Sequence, residues 1–159
     1  MLLAERLHAL LTYDPITGYF SWRTARQGVR VGARAGCVSG AYRYIMIDYV
    51  KYAEHNLAAL YMTGEWPDDE MDHENTFGTD NSWTNLRPAT RAQNMWNRKV
   101  KIDSTLGLKG VSPRHDKFQA SIKANGQYYY LGLHNTPEQA HGAYCEKAQE
   151  LHGVFSNEG

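Results

Sequence analysis

Residues 71–97 read MDHENTFGTDNSWTNLRPATRAQNMWN. An adjacent carboxylate and imidazole, Asp72 and His73, are followed by Asn81 and Asn85, then by Asn94 and Asn97. A carboxylate with spaced side-chain amides offers oxygen donors to one hard cation, and a neighbouring imidazole can take a proton from water. Such a set has the chemistry to hydrolyse a phosphodiester. Met71–His73 reads as a short strand or its end, and Glu74–Ser82 as a loop turning at Gly78. Trp83–Leu86 reads as a second short strand or a tight turn, and Thr90–Arg98 as a helix with Thr90 as N-cap.

Toward the N-terminus, His55–Thr63 has Leu57, Leu60 and Tyr61 on one face and Gly64 as its stop, so it reads as a helix. Tyr42–Tyr49 is rich in aromatic and β-branched residues and reads as a strand, with a further short strand from Lys51 to Ala53. The Gly-rich stretch Gly28–Gly40 reads as loop or ribbon, and Tyr19–Trp22 as a strand. Tyr13–Gly18 is turn chemistry, with Pro15 presetting φ and Gly18 free to adopt a positive one. Met1–Leu11 is an amphipathic helix candidate with Leu3, Leu7, Leu10 and Leu11 on one side.

Beyond a polar linker over Lys99–Ser104 the pattern changes. Gly110–Ser112, Lys117–Ala124 and Tyr128–Leu133 read as three strands, with Asn125-Gly126 as a hairpin turn. Thr136, Pro137 and Gln139 suit the N-cap, first position and capping box of a helix ending near His152 at Gly153. Ala140, Ala143, Tyr144, Ala148 and Leu151 form its apolar face. Strand alternation turns Phe118, Ala120 and Ile122 toward that helix, and Gln119, Ser121 and Lys123 away from it, beside Tyr128 and Tyr130. The expectation is an α+β chain of two units, residues 1–100 and 101–159. The second is a three-stranded antiparallel sheet packed on one helix.

Formal net charge is zero, which argues against a protein that grips nucleic acid by bulk charge alone. The charge is unevenly spread. Arg23, Arg26, Arg30, Arg34 and Arg43 occur in a stretch without Asp or Glu, whereas Glu65–Glu74 is acidic. No apolar run has the length of a membrane span, and the N-terminus lacks a signal-peptide pattern. Cys37 and Cys145, far apart, argue against a thiolate zinc site; they suit a reducing cytoplasm as buried small residues. Trp22, Trp66, Trp83 and Trp96 read as core, and His55 as a structural histidine at a helix start.

Several segments together carry a family likeness: Leu11–Gly18, His55-Asn56-Leu57-Ala58, Met71-Asp72-His73, Asp80-Asn81, Asn85-Leu86-Arg87, Ala89-Thr90, and Gln93-Asn94 with Asn97. In this order and spacing the first hundred residues resemble HNH endonucleases of the phage and homing type. Gly110-Val111-Ser112, Leu131-Gly132, Thr136–Ala140, Ala143-Tyr144 and Leu151-His152-Gly153 resemble the DNA-binding domain of plant ethylene-response factors, of the APETALA type.

The first resemblance implies a ββα-metal fold around one divalent ion, Mg2+ or Mn2+. Asp72 would be its strand-borne ligand and Asn94 its helix-borne ligand. His73 would be the general base and Asn85 the residue that orients it. Cleavage or nicking of double-stranded DNA to 3′-hydroxyl and 5′-phosphate ends is then expected, with an oligomer possible but not implied. The second resemblance implies that the outer sheet face of Gln119, Ser121, Lys123, Tyr128 and Tyr130 enters the major groove, with Arg114 and Lys117 as further cations. The arginine-rich stretch would contact phosphates. A rival expectation, favoured by the zero net charge and by Glu74, is a non-catalytic DNA-binding module whose first half is a scaffold.

Overall fold

A computed structural model describes residues 2–25, 28–100 and 104–159. Arg26, expected at a DNA contact, and residues 101–103 of the expected linker lie outside the described residues. The architecture is mixed α and β, and its described sheets are small and antiparallel. It divides into two compact units, Met1–Thr90 and Arg91–Gly159.

The first unit opens with α1 (Ala4–Leu10), which runs into the hairpin of β1 (Leu11–Asp14) and β2 (Tyr19–Trp22). Leu11 was expected to close the helix, and Tyr13-Asp14 to start the turn. Instead Leu11 is extended at φ −130°, and Tyr13 and Asp14 pair with Phe20 and Tyr19. The turn needs less chain than its composition suggested. Asp14 accepts from Ile16 N–H and the Thr17 hydroxyl, and Gly18 N–H returns to Asp14 O. After a loop come β3 (Cys37–Ser39), β4 (Tyr42–Ile47) and β5 (Val50–Ala53), an antiparallel sheet with β4 in the middle. Cys37, expected to be buried, is exposed on edge strand β3.

Helix α2 (Glu54–Thr63) follows β5 directly and ends at Gly64 in the left-handed region, φ 84°. Its Leu57, Ala58 and Leu60 join Leu7, Phe20 and Ile45 in one apolar core. Strand β6 (Glu70–His73) pairs with β7 (Leu86–Ala89), which a 3-10 turn over Trp83–Asn85 introduces. Trp22 is buried in this core and Trp66 and Trp83 pack partly buried against it, as a domain of this size requires.

The second unit begins with α3 (Arg91–Trp96) and continues through β8 (Val111–Arg114), β9 (Lys117–Ala124), β10 (Gln127–His134) and α4 (Pro137–His152). Within it the Trp96 ring stacks on His152 at 4.2 Å, and Lys109 Nζ donates to Trp96 O. Strand β9 is central, and Asn125 and Gly126 take φ 50° and 78° in the hairpin turn. Ala120, Ile122 and Ala124 are buried on the side covered by Tyr144 and Ala148 of α4. Thr136 Oγ1 accepts from Gln139 N–H, the cap its sequence implies. Among the described residues no helix is long and apolar enough to cross a membrane.

Candidate nuclease site

In the first unit the candidate residues gather at the end of the β6–β7 pair. Asp72 and His73 are consecutive on β6, so the pleat sends their side chains to opposite faces. Each is buried, at 3 % and 5 % exposure. Asp72 lies opposite Arg87 in register, and its Oδ2 accepts from Arg87 Nη2 at 2.8 Å. A buried carboxylate needs a counter-charge, and Arg87 supplies it.

On the other face, His73 Nε2 is 3.0 Å from Asn81 Oδ1. Asn81 Nδ2 donates in turn to Glu54 Oε2 at 3.1 Å, and Arg43 Nε lies 3.1 Å from both Glu54 oxygens. Arg43 Nη2 also donates to the carbonyls of Ala35 and Gly36. Asn81 is held from behind. The Tyr13 hydroxyl donates to its carbonyl at 2.6 Å, and Gly18 backs so closely onto Asn81–Ser82 that a Cβ there would collide with the backbone. This is why the turn before β2 contains Gly18.

The expected partner of His73 was Asn85; the structure gives that position to Asn81. Asn85 instead ties down the loop between β6 and β7. Its Oδ1 accepts from Asn75 N–H at 2.9 Å, its Nδ2 donates to Asp80 O at 2.7 Å, and its carbonyl accepts from Glu74 N–H. Asp80 adds bonds from Ser82 and Asn75. Burial would raise the Asp80 carboxyl, but these bonds outweigh it and hold its pKa below the ordinary value. Asn94 lies half-buried on α3, in the second unit.

A second imidazole is close by. The His55 ring lies 5.1 Å from that of His73 at nearly a right angle, and the Tyr42 ring approaches both. Burial first, and then the proximity of His73, push His55 down to about pKa 4. Burial also lowers His73, against the opposing pull of Asn81, Asp72 and Asp80. Both rings are therefore neutral near pH 7.

One participant escaped the sequence reading: Glu54 is fully buried although it is charged, whereas Asn81 was named in the polar cluster without a role of its own. An acidic residue in a first helical turn is ordinary, since it suits the helix dipole, so nothing marked Glu54. The one available signal was its place beside His55 after an apolar strand.

Of the arginine-rich stretch, Arg23, Arg30 and Arg34 are exposed, and Arg34 lies 3.4 Å over the Tyr19 ring. Arg43 departs from the expected phosphate contact, because its guanidinium is turned inward onto Glu54. In the second unit Tyr128 and Tyr130 are 56 % and 57 % exposed, and Lys117, Lys123 and Arg114 are exposed as well. Arg114 Nε donates to Gln119 Oε1, and Gln119 Nε2 donates to the Tyr128 hydroxyl, a polar ladder on that sheet. Ser121 is half-buried.

Residues 52–96 match the family described as HNH endonuclease, which places an HNH endonuclease domain there. Over 143 residues the chain is 27 % identical to an uncharacterized HNH endonuclease of Acanthamoeba polyphaga mimivirus, covering 89 % of this chain and 68 % of that protein. The two likenesses support a nuclease-type function.

Proposed function

We propose that this protein is a divalent-metal-dependent, homing-type HNH endonuclease that hydrolyses or nicks double-stranded DNA. The observation that carries this reading is the Asp72-His73 pair at the end of β6, one side chain held by Arg87 and the other by Asn81.

The implied cation fits the donors. Asp72 and Asn94 offer oxygen only, which suits a hard, hydrated ion such as Mg2+ or Mn2+. Among the described residues no three His, Cys, Asp or Glu side chains cluster as a metal cage. When bound, the cation supplies positive charge to the phosphate oxygens. Asp72 and Asn94 would hold it. His73, kept neutral by burial, takes the proton of the attacking water. Asn85 acts through the loop it clamps.

For DNA grip, Arg23, Arg30 and Arg34 contact phosphates. The second unit serves as an ethylene-response-factor-type module whose exposed sheet face enters the major groove. Arg114, Lys117, Gln119, Ser121, Lys123, Tyr128 and Tyr130 supply its contacts. The exposed tyrosines and the Arg114–Gln119–Tyr128 ladder support that role. One centre cuts one strand, so a double-strand break needs two protomers or two events.

The test is supercoiled plasmid incubated with magnesium and then with chelator. Open-circular product in magnesium alone is expected. DNA binding without nicking would transfer support to the non-catalytic module.

A further inference from the structure

A neutral imidazole has one N–H and one lone-pair nitrogen, and the partner of either ring atom decides which is which. His73 Nε2 faces the Asn81 side-chain amide at 3.0 Å. An amide by itself decides nothing, because it can present its oxygen or its NH2. Here the far end of that amide faces Glu54 Oε2 at 3.1 Å. Burial raises the Glu54 carboxyl above its ordinary range, but the Arg43 guanidinium opposes this with its charge and hydrogen bond and keeps the group ionised at neutral and alkaline pH. As a carboxylate it only accepts, so it receives the NH2. The amide oxygen is then turned to His73, and Nε2 must carry the proton.

The direction is set one step further out. Arg43, whose guanidinium stays protonated, donates from Nε toward both Glu54 oxygens at 3.1 Å. Gly36 lets this carboxylate approach, since a Cβ there would collide with Glu54 Oε1. Glu54 is fully buried and Asn81 is 1 % exposed, so bulk water does not compete for these bonds.

We propose that Glu54 and Asn81 are positioning residues that lock His73 in the tautomer protonated at Nε2, leaving Nδ1 as the nitrogen that receives a proton from the attacking water. The catalytic consequence rests on the nuclease reading; the tautomer does not. A purely structural charge cluster predicts that loss of Glu54 weakens the fold without altering the ring.

The experiment uses the full chain with 15N-labelled histidine and long-range proton–nitrogen correlation at about pH 8, where imidazoles are neutral, with and without Mg2+. Wild-type protein should show His73 as the Nε2–H form; an Nδ1–H ring overturns the proposal whatever any variant does. In Glu54→Gln the new side-chain amide can offer Asn81 either end. The His73 signals should then move toward a mixture of tautomers, and plasmid nicking should fall by about 10- to 100-fold, the usual loss when a supporting partner of a site residue is removed. Folded Glu54→Gln with an unchanged tautomer and a wild-type nicking rate overturns the proposal. If that variant does not fold, Asn81→Ala replaces it, with the same expected loss of the single Nε2–H form. A pinned tautomer in a protein that does not nick DNA sinks the nuclease reading alone, and nicking with an Nδ1–H ring sinks the relay alone.

Discussion

Asp72 and Arg87 face each other in register across the β6–β7 pair, and Asp72 Oδ2 accepts from Arg87 Nε at 2.9 Å and from Nη2 at 2.8 Å. A cation held by Asp72 competes with this guanidinium for the same carboxylate. Arg87→Ala should cost about 3 kcal/mol in metal-free protein, the lower end for breaking a buried pair, because Arg87 is itself partly exposed. Magnesium should then raise the Tm of the variant more than that of the wild type, the ion replacing the lost charge. Equal shifts in the two proteins would remove Asp72 from the cation site.

His73→Ala and Asn94→Ala should each abolish plasmid nicking while leaving circular dichroism close to wild type; His73→Ala also lowers the melting transition, because buried Asn81 loses its partner. Loss of a general base lowers rate by about 10²–10⁴-fold. Full activity in either folded variant ends the assigned roles.

Activity should rise with pH as His73 loses its proton. Burial lowers its pKa, so the rising limb lies below the ordinary imidazole range near 6.5 and the rate is level by neutral pH. Single-turnover nicking between acid and neutral pH measures the limb. A flat profile counts against His73 as base.

His55 governs stability rather than rate. Its folded pKa of about 4 lies below the ordinary value of 6.5, so in that window the unfolded chain binds the extra proton. Stability is therefore full above about pH 6.5 and falls as pH drops toward 4, by about 3 kcal/mol in all. Replacing His55 with Phe should flatten urea-unfolding free energy across this window, and an unchanged pH slope would remove His55 as its source.

Much of this fold was legible because local chemistry and final structure agree. Thr136, Pro137 and Gly153 mark the two ends of α4, and Asn125-Gly126 marks the β9–β10 turn. Asp72 and His73 were legible as neighbours on one strand. The Asn81–Glu54 link was not, since the two residues lie 27 apart in sequence and meet only when the loop closes over α2. Composition near a site reports which groups are available, whereas hydrogen-bond partners depend on loop paths that periodicity does not encode. Arg43 shows the same limit. An arginine among arginines looks like a phosphate contact until a buried carboxylate claims it.

Asn85 separates two ways of supporting a histidine. If it acts through the loop, its removal leaves Asn75 N–H and Asp80 O without their partner, although neither atom touches His73. Asn85→Ala should cost about 1–3 kcal/mol. Amide exchange at Asn75 should accelerate by about tenfold or more, since each 1.4 kcal/mol of lost protection is a factor of ten. Nicking should fall with it, because His73 O accepts from Thr76 N–H in the same loop and the end of β6 loosens when the clamp is gone. Unchanged protection of Asn75 in a slow variant would show that Asn85 acts elsewhere than through the loop.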